Sequence, residues 1–181
     1  MNTVDVIRRL HAHRAWVNSK LLAAAHTLTN DKLRQPLPIG QGSIWKSLVH
    51  MYAAEYVWLE ALLGDQRPVA PGDRADKLPG NQEGQRPISS LDELCEKWTQ
   101  LDERWTRYLE TLAENDLDGL VAKITTTGKV YATRRGDVLL HVCTHAHYTS
   151  AQVVNMLRQV GLDPLPDLML ISLARQDAAA R

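Results

Sequence analysis

The stretch SLDELCEKWTQLDERWTRYLETL, Ser90–Leu112, carries the clearest fold signal in the chain. Large apolar residues recur in it at alternating spacings of three and four, the heptad pattern of a helix that packs one face against other helices. The other positions are densely charged, and Ser90 with Glu93 forms a capping box that predicts the start of the helix. The heptad positions are Leu91, Leu94, Trp98, Leu101, Trp105, Tyr108 and Leu112. This pattern predicts an outer helix of an antiparallel bundle.

Three more long segments have helical periodicity, and together with 90–112 they predict four main helices. The first covers about 3–28. The second begins after the N-cap residue Ser43 and ends at Gly64, and it is apolar over so much of its surface that we expect it to lie between other helices. The last covers about 137–160, and a short fifth helix is expected within 167–176.

The connections complete the predicted fold. Residues 65–89 contain four prolines and three glycines, which indicates a long surface loop of the kind that often serves as a lid. In 120–136, β-branched residues flank Thr127 and Gly128, a hairpin signal. We therefore predict a single all-α domain over 1–181, a four-helix bundle with a small β-hairpin before the last long helix. The long connections also permit a winding other than up-down-up-down.

Composition excludes several classes of protein. Lys plus Arg and Asp plus Glu each number 21, so the net charge is zero and no basic excess is available for nucleic acid. The chain has no apolar run of about 18 residues, as a membrane helix would need, and its start has no signal-peptide core. The two cysteines, Cys95 and Cys143, do not suggest a disulfide framework, and we expect a cytoplasmic location.

The stretch HVCTHAHYTSAQ, His141–Gln152, is the strongest candidate for a functional site. His141 and His145 are four residues apart and therefore share one face of a helix, which Thr149 continues and Gln152 approaches. His147 lies about 200° from His145 and points elsewhere. Two imidazoles at this spacing can hold one divalent metal ion if a further ligand comes from another helix.

His50, in the second helix, is the candidate for that further ligand. It lies beside small residues, Ala53, Ala54 and Val57, which leave room for a site in the bundle core. The competing interpretation is a hydrogen-bonded core histidine, which is the commoner role of a single histidine on an apolar face. Tyr52 and Tyr148 are further candidate hydrogen-bond donors near the site, although packing in the bundle explains both of them equally well.

The remaining candidates have weaker signals. We expect surface or interface roles for His11, His13, His26 and His147, although His11, Arg14 and Asn18 share a polar flank of the first helix that is a weak candidate for a wall of the site. Cys143 is two residues from both His141 and His145, so it faces away from them. We therefore expect Cys143 to be a packed thiol and not a nucleophile.

Three stretches resemble the DinB/YfiT-like family: HAHRAWVNSKLLAAA (11–25), GSIWKSLVHMYAAEYVWLEALLG (42–64) and GDVLLHVCTHAHYTSAQVVNMLRQVGLDP (136–164). The resemblance implies a four-helix bundle, usually a homodimer. It also implies a divalent metal ion, often nickel or zinc, bound by one histidine of the second helix and two of the last helix within H-x-x-x-H-R-G-Q. Relatives with known activity include S-transferases and isomerases that use bacillithiol, mycothiol or glutathione.

Carried over by position, the implied ligands are His50, His145 and residue 149, which is Thr149 here. The motif H-R-G-Q reads TSAQ, and a neutral threonine hydroxyl is a poor ligand for zinc or nickel. Three arrangements follow. His141 replaces the lost ligand; or His50 and His145 hold a weakened metal while Thr149 binds a metal-bound water; or the site is metal-free and the pair is hydrogen-bonded. His147 would enter only through a π-bulge in the helix.

These arrangements give three hypotheses about function. The first is a thiol S-transferase with a degenerate divalent-metal site, which would use a low-molecular-weight thiol. The second is a metal-free, non-catalytic homodimer that acts in a stress response or binds a small ligand. The third is a metal-assisted hydrolase with the same ligands. None of them involves nucleic acid or a membrane.

Overall fold

The structure is a computed structural model that describes residues 2–180. Four long helices, two short helices, a 3-10 turn and a two-stranded sheet form it. The helices are α1 (Thr3–His26), α2 (Asn30–Arg34), α3 (Ile44–Leu62), α4 (Leu91–Glu110), α5 (Arg135–Gln159) and α6 (Leu170–Ala179). The 3-10 turn is Glu114–Asp118, and the antiparallel strands are β1 (Leu120–Ile124) and β2 (Val130–Arg134).

The long helices confirm the predicted bundle, and their directions are not strictly alternating. α1 packs against α5 and α4, and α3 packs against the same two helices. Side-chain contacts between Arg8 and Leu109 near one end of α1, and between His26 and Cys95 at the other, make α1 and α4 antiparallel. Trp98 and, later in α4, Arg104 donate hydrogen bonds to Glu55 and, later in α3, Glu60. Because both helices meet these contacts in the same order, α3 and α4 are parallel. In chain order the helices therefore run up, down, down, up.

The long loop 65–89 makes this order possible. Two consecutive helices that run parallel need a connection that returns along the full length of the bundle. For a helix of 20 residues that length is about 30 Å, which the loop 65–89 is long enough to span. Asp73 organises the loop from inside, because its carboxylate accepts the backbone N–H groups of Gly80 at 2.5 Å and of Gln82 at 2.9 Å. The N–H of Ile124 donates to the Gln66 carbonyl at 2.8 Å and so joins the hairpin to the loop.

The predicted cap residues of α3 and α4 are confirmed, while α5 begins two residues earlier than predicted and the short last helix lies three residues later. Ser43 caps α3 through its hydroxyl, and Gly64 follows the helix with a φ of +106°, a conformation that glycine adopts without strain. The Ser90 hydroxyl accepts the N–H of Glu93, as the capping box predicts. The return bond is different, because the Glu93 carboxylate accepts the N–H of Ser89, one residue earlier.

The predicted heptad face of α4 lies in the core. Leu94, Trp98, Leu101 and Trp105 are all buried, while the charged face is open to solvent. The predicted hairpin and the short last helix are both present as well. The sequence interpretation missed α2, which begins after the N-cap residue Thr29, and the 3-10 turn. Among residues 2–180, no helix is both long enough and apolar enough to cross a membrane.

Candidate metal centre

His50 and His145 meet between α3 and α5. Their Nε2 atoms are 3.2 Å apart and their ring centroids 5.1 Å apart, with the ring planes at 66°. Antiparallel packing of the two helices produces this contact, since α3 also touches α5 on either side of it, through Ser47 with Met156 and Trp58 with His141. The structure thus brings together the two histidines that the sequence placed on different helices.

The loop 65–89 fixes the orientation of His50. The Nδ1–H group of His50 donates to the Pro79 carbonyl at 2.7 Å, which leaves Nε2, the atom that faces His145, as the ring nitrogen that can bind a metal ion. Metal-binding histidines usually have such a carbonyl partner on their second nitrogen. Gly80 adopts a φ of +85°, and a Cβ atom there would lie 2.5 Å from the Cα of His50. Only glycine therefore lets the loop backbone lie this close to α3.

The neighbouring histidines are neutral at physiological pH. Burial, together with the smaller effects of the nearby His50 and His141 rings, lowers the pKa of His145 to about 4. Burial also lowers the pKa of His141, whose ring centroid lies 5.8 Å from that of His145 and 5.3 Å from that of Trp58. Neutral imidazoles are the form that binds metals and accepts protons.

The pair fits a divalent metal ion as a two-nitrogen site. Two nitrogens that each lie about 2.05 Å from one tetrahedral zinc ion are about 3.3 Å apart, close to the separation observed here. Within residues 2–180, however, no three His, Cys, Asp or Glu side chains come close enough together to form a metal-binding group. The chain therefore offers two strong ligands, and the other positions would be left to weaker groups, water or substrate.

Thr149 and Gln152 continue the same face of α5. Thr149 is buried at 3% exposure, one helical turn from His145. Gln152 lies against the loop before α3, where its side-chain amide occupies the space that a Cβ atom of Gly40 would need. The roles of Thr149 and His141 as metal ligands stay predictions.

The residues that helical geometry placed off this face lie elsewhere. His147 is exposed, and together with Cys143 it lines a separate cavity of about 290 Å³ between α1 and α5. Burial raises the pKa of the Cys143 thiol to about 12, in keeping with the packed thiol that we expected. Of the two tyrosines, Tyr52 packs on Trp98 of α4, in agreement with the packing alternative, and Tyr148 is 68% exposed.

The polar flank of α1 does not face the histidine pair. It joins a second polar cluster, in which Arg14 pairs with Glu55 and, at 3.0 Å, with Asp102, while Asn18 donates to Glu55 at 2.9 Å. His11 is buried at 2% exposure, so the surface role expected for it is wrong. Its Nε2–H donates to the Leu139 carbonyl at 3.2 Å, and burial beside Arg14 lowers its pKa to about 3.

Sequence interpretation missed Glu55, the centre of this second cluster. Its signal was a single carboxylate in the middle of an apolar helix, a position that requires buried partners. Burial raises the pKa of Glu55 to about 7, against the opposing effects of Arg14 and of donors from Trp98 and Asn18.

Comparisons with known proteins agree on one family. The model of a family described as "DinB family" matches residues 1–176. "Protein DinB" of Bacillus subtilis (strain 168) is 22% identical over 162 residues, which is 90% of each chain. The resemblance inferred from the sequence is confirmed by these matches.

Two solved structures share the fold. YfiT from Bacillus subtilis, described as a probable metal-dependent hydrolase with an unusual four-helix bundle topology, superposes with a TM-score of 0.59 at 17% identity and covers 87% of this chain and 89% of its own. A conserved protein from Enterococcus faecalis superposes with a TM-score of 0.63 at 14% identity, over 88% of this chain and 98% of its own. At these identities the likeness shows the fold alone.

Proposed function

The chain belongs to the DinB family, and on this premise we propose that it is a metal-dependent enzyme that transfers a low-molecular-weight thiol to an electrophilic small molecule. The convergence of His50 and His145, with 3.2 Å between their Nε2 atoms, is the observation that supports it. These two residues would hold a zinc or nickel ion, with Thr149 beside it. A bound divalent metal lowers the pKa of a thiol or a water and holds the resulting anion near an electrophile.

The loop 65–89 contributes by positioning. The bond from His50 to the Pro79 carbonyl sets the tautomer and the ring orientation of this ligand before anything binds. The close approach of Gly80 to the helix backbone keeps that carbonyl in place. The loop thus packs directly against α3 beside this ligand.

His141 is the proposed proton acceptor. Its ring is neutral at pH 7 because burial lowers its pKa, and it lies next to His145 at the more exposed edge of the site. In the proposed reaction the thiol loses its proton to His141 and its sulfur forms a bond with the electrophilic carbon. The leaving group departs with the electron pair of the bond that breaks.

Metal analysis of untagged protein purified without chelator, followed by titration with zinc and nickel, tests the site. We expect one metal ion per chain, lost in His50→Ala and retained in His147→Ala, since His147 lies on another face of α5. His141→Ala should keep the metal and lose turnover with a thiol and an alkylating substrate. Equal loss of metal in the His50 and His147 variants would contradict this assignment, and metal loss in His141→Ala would make His141 a ligand.

Metal-assisted hydrolysis is the second candidate function. The observation that favours it is the description of the structural relative YfiT as a probable metal-dependent hydrolase. The same residues would serve, with His141 accepting a proton from water in place of a thiol. Turnover of an ester without any thiol would favour hydrolysis, whereas turnover that requires the thiol would favour S-transfer.

Failure to bind zinc or nickel would remove both enzymatic proposals. The metal-free alternative, a non-catalytic bundle that acts in a stress response or binds a small ligand, would then stand. The proposed homodimer is tested separately by sedimentation of the purified chain, where a mass of about twice 20.3 kDa is expected.

A further inference from the structure

A second cavity, of about 280 Å³, lies beside the histidine pair. It is enclosed between the loop segment 67–79 and the hairpin, with Val57 of α3 among its lining residues. The bond from Ile124 N–H to the Gln66 carbonyl holds the two walls together. None of the histidines lines this cavity, so it is distinct from the proposed metal site.

Two connections join the cavity to the histidine pair. Pro79 lines the cavity and also accepts the hydrogen bond of His50. On the other side, Lys123 of the hairpin lies over the ring of Trp58, with Nζ 5.1 Å from its centroid, and Trp58 in turn contacts His141. The cavity and the histidine pair are therefore neighbouring sites, with Pro79 between them on one side and Trp58 on the other.

The lining of the cavity has an excess of positive charge. Four basic residues line it against two carboxylates: Arg67, Arg74, Lys77 and Lys123, with Asp73 and Asp76. Arg74 pairs with Asp76, Lys77 pairs with Glu83, and the Asp73 carboxylate accepts hydrogen bonds from the loop itself. Neither Arg67 nor Lys123 takes part in an ion pair within the part of the chain that the structure describes.

We propose that this cavity binds the carboxylate end of the small-molecule substrate, through Arg67 and Lys123, while the reacting end of the molecule reaches the histidine pair. The binding of the carboxylate is inferred from the cavity alone. The reach of the other end to the histidine pair rests on the proposed function. Partial burial lowers the pKa of Lys123, so an anion beside it would offset the cost of keeping its charge. A volume near 280 Å³ is at the lower limit of small-molecule sites, which suits one end of a substrate.

The surroundings favour a carboxylate over a phosphate. Phosphate sites usually supply backbone N–H groups from a helix N-terminus, or from a glycine-rich turn that leads into a helix N-terminus. Here the only helical lining residue is Val57, from the second half of α3, and the rest belong to the loop and the hairpin. Pro68, Val69 and Ala70 add an apolar wall that fits an aliphatic chain ending in a charged group.

Calorimetric titration of the metal-free protein with glutarate at low ionic strength tests the cavity by itself. We expect binding that added salt weakens and that glutaramide, the uncharged amide of the same length, does not reproduce. Arg67→Gln and Lys123→Gln should each weaken glutarate binding about tenfold, because each removes a charge-assisted hydrogen bond. Lys129→Gln is the matched control, since Lys129 is on the same hairpin, does not line the cavity and should leave the affinity unchanged.

Three results would overturn the proposal: no glutarate binding, equal affinity in the Arg67→Gln, Lys123→Gln double variant, or tighter binding of inorganic phosphate with the same dependence on these residues. Circular dichroism of each variant confirms that loss of binding is not loss of fold. Because no metal is present, the outcome is independent of the metal titration. Glutarate binding in a protein that binds no zinc or nickel would keep the carboxylate site and remove only its assignment to the proposed reaction.

Discussion

His50 and Glu55 are five residues apart on α3, and they belong to two polar clusters with opposite properties. Glu55 is closed in by α1 and α4, where Arg14, Asn18 and Trp98 all donate to its carboxylate. His50 uses one nitrogen for the Pro79 carbonyl and the other for a hydrogen bond with His145. One cluster thus satisfies its charges internally, while in the other a single proton lies between two nitrogens, where a metal ion could replace it.

The difference indicates how one bundle separates stability from function. A buried carboxylate is tolerated only when the protein supplies its counter-charge and donors, so the Glu55 cluster holds α1, α3 and α4 in one arrangement. His145, whose pKa is lowered by burial, needs no counter-charge, so the histidine pair can stay available near the surface. The predictions below test this separation, from the largest expected effect to the smallest.

Replacing Arg14 tests the closed cluster most strongly. Arg14→Met keeps most of the side-chain volume but leaves Glu55 and Asp102 without their shared cation, so we expect the free energy of unfolding to fall by about 3–5 kcal/mol in urea denaturation. Arg104→Met is the control, since Arg104 of α4 pairs with Glu60 of α3 in a more exposed position. It should cost about 1 kcal/mol or less. Equal losses of unfolding free energy in the two variants would mean that the effect does not depend on burial of the ion pair.

Restoring a histidine at position 149 tests the open cluster. Thr149→His adds a third nitrogen one turn from His145, and we expect zinc affinity to rise about 10- to 100-fold, measured by competition with a chelating dye. Thr149→Val, which removes only the hydroxyl, should bind zinc much as the native chain does because that hydroxyl is a weak ligand. An unchanged affinity in Thr149→His would place the metal away from this face.

Gly80 tests whether the loop positions His50. In Gly80→Ala the new methyl group would collide with the α3 backbone at His50 and displace the Pro79 carbonyl, so zinc affinity should fall about tenfold. Gly128→Ala is a matched control, since Gly128 has a similar φ of +82° but no atom within 4 Å of the added carbon. A similar loss in both variants would attribute the effect to backbone strain and not to His50.

Measured per pH unit, the pH dependence of stability gives the smallest effect, because the loss is spread over the interval between the unfolded and folded pKa values of Glu55. The pKa of Glu55 rises from its ordinary value of 4.5 to about 7 on folding, so the folded state holds this proton more tightly than the unfolded chain. Its contribution is therefore fully present below pH 4.5 and is lost as the pH rises through 7, by at most about 1.4 kcal/mol per pH unit. Urea denaturation should show the native chain losing stability relative to Glu55→Gln over this range. A constant difference would mean that Glu55 stays ionised when folded.

Local signals in the sequence were sufficient for the elements of the fold. The heptad of 91–112, the cap residues Ser43 and Gly64, and the Thr127-Gly128 turn depend on neighbours within a few residues. The role of His11 was not predictable in this way. A polar flank on an amphipathic helix is usually a solvated face, and only the opposing Glu55 and Trp105 make it an interior one.

The sequence by itself determined the four long helices, the short last helix, the hairpin, the family, and the separation of His145 from His147 by helical rotation, whereas it did not reveal α2. The tertiary structure decided the up-down-down-up order and the meeting of His50 with His145, which are 95 residues apart in the chain. It also decided that Pro79 binds His50 and that Arg67 and Lys123 share a cavity. The physical reason is range: helix propensity and capping act within a few residues, whereas each site here depends on which helix faces pack together and where a 25-residue loop crosses them.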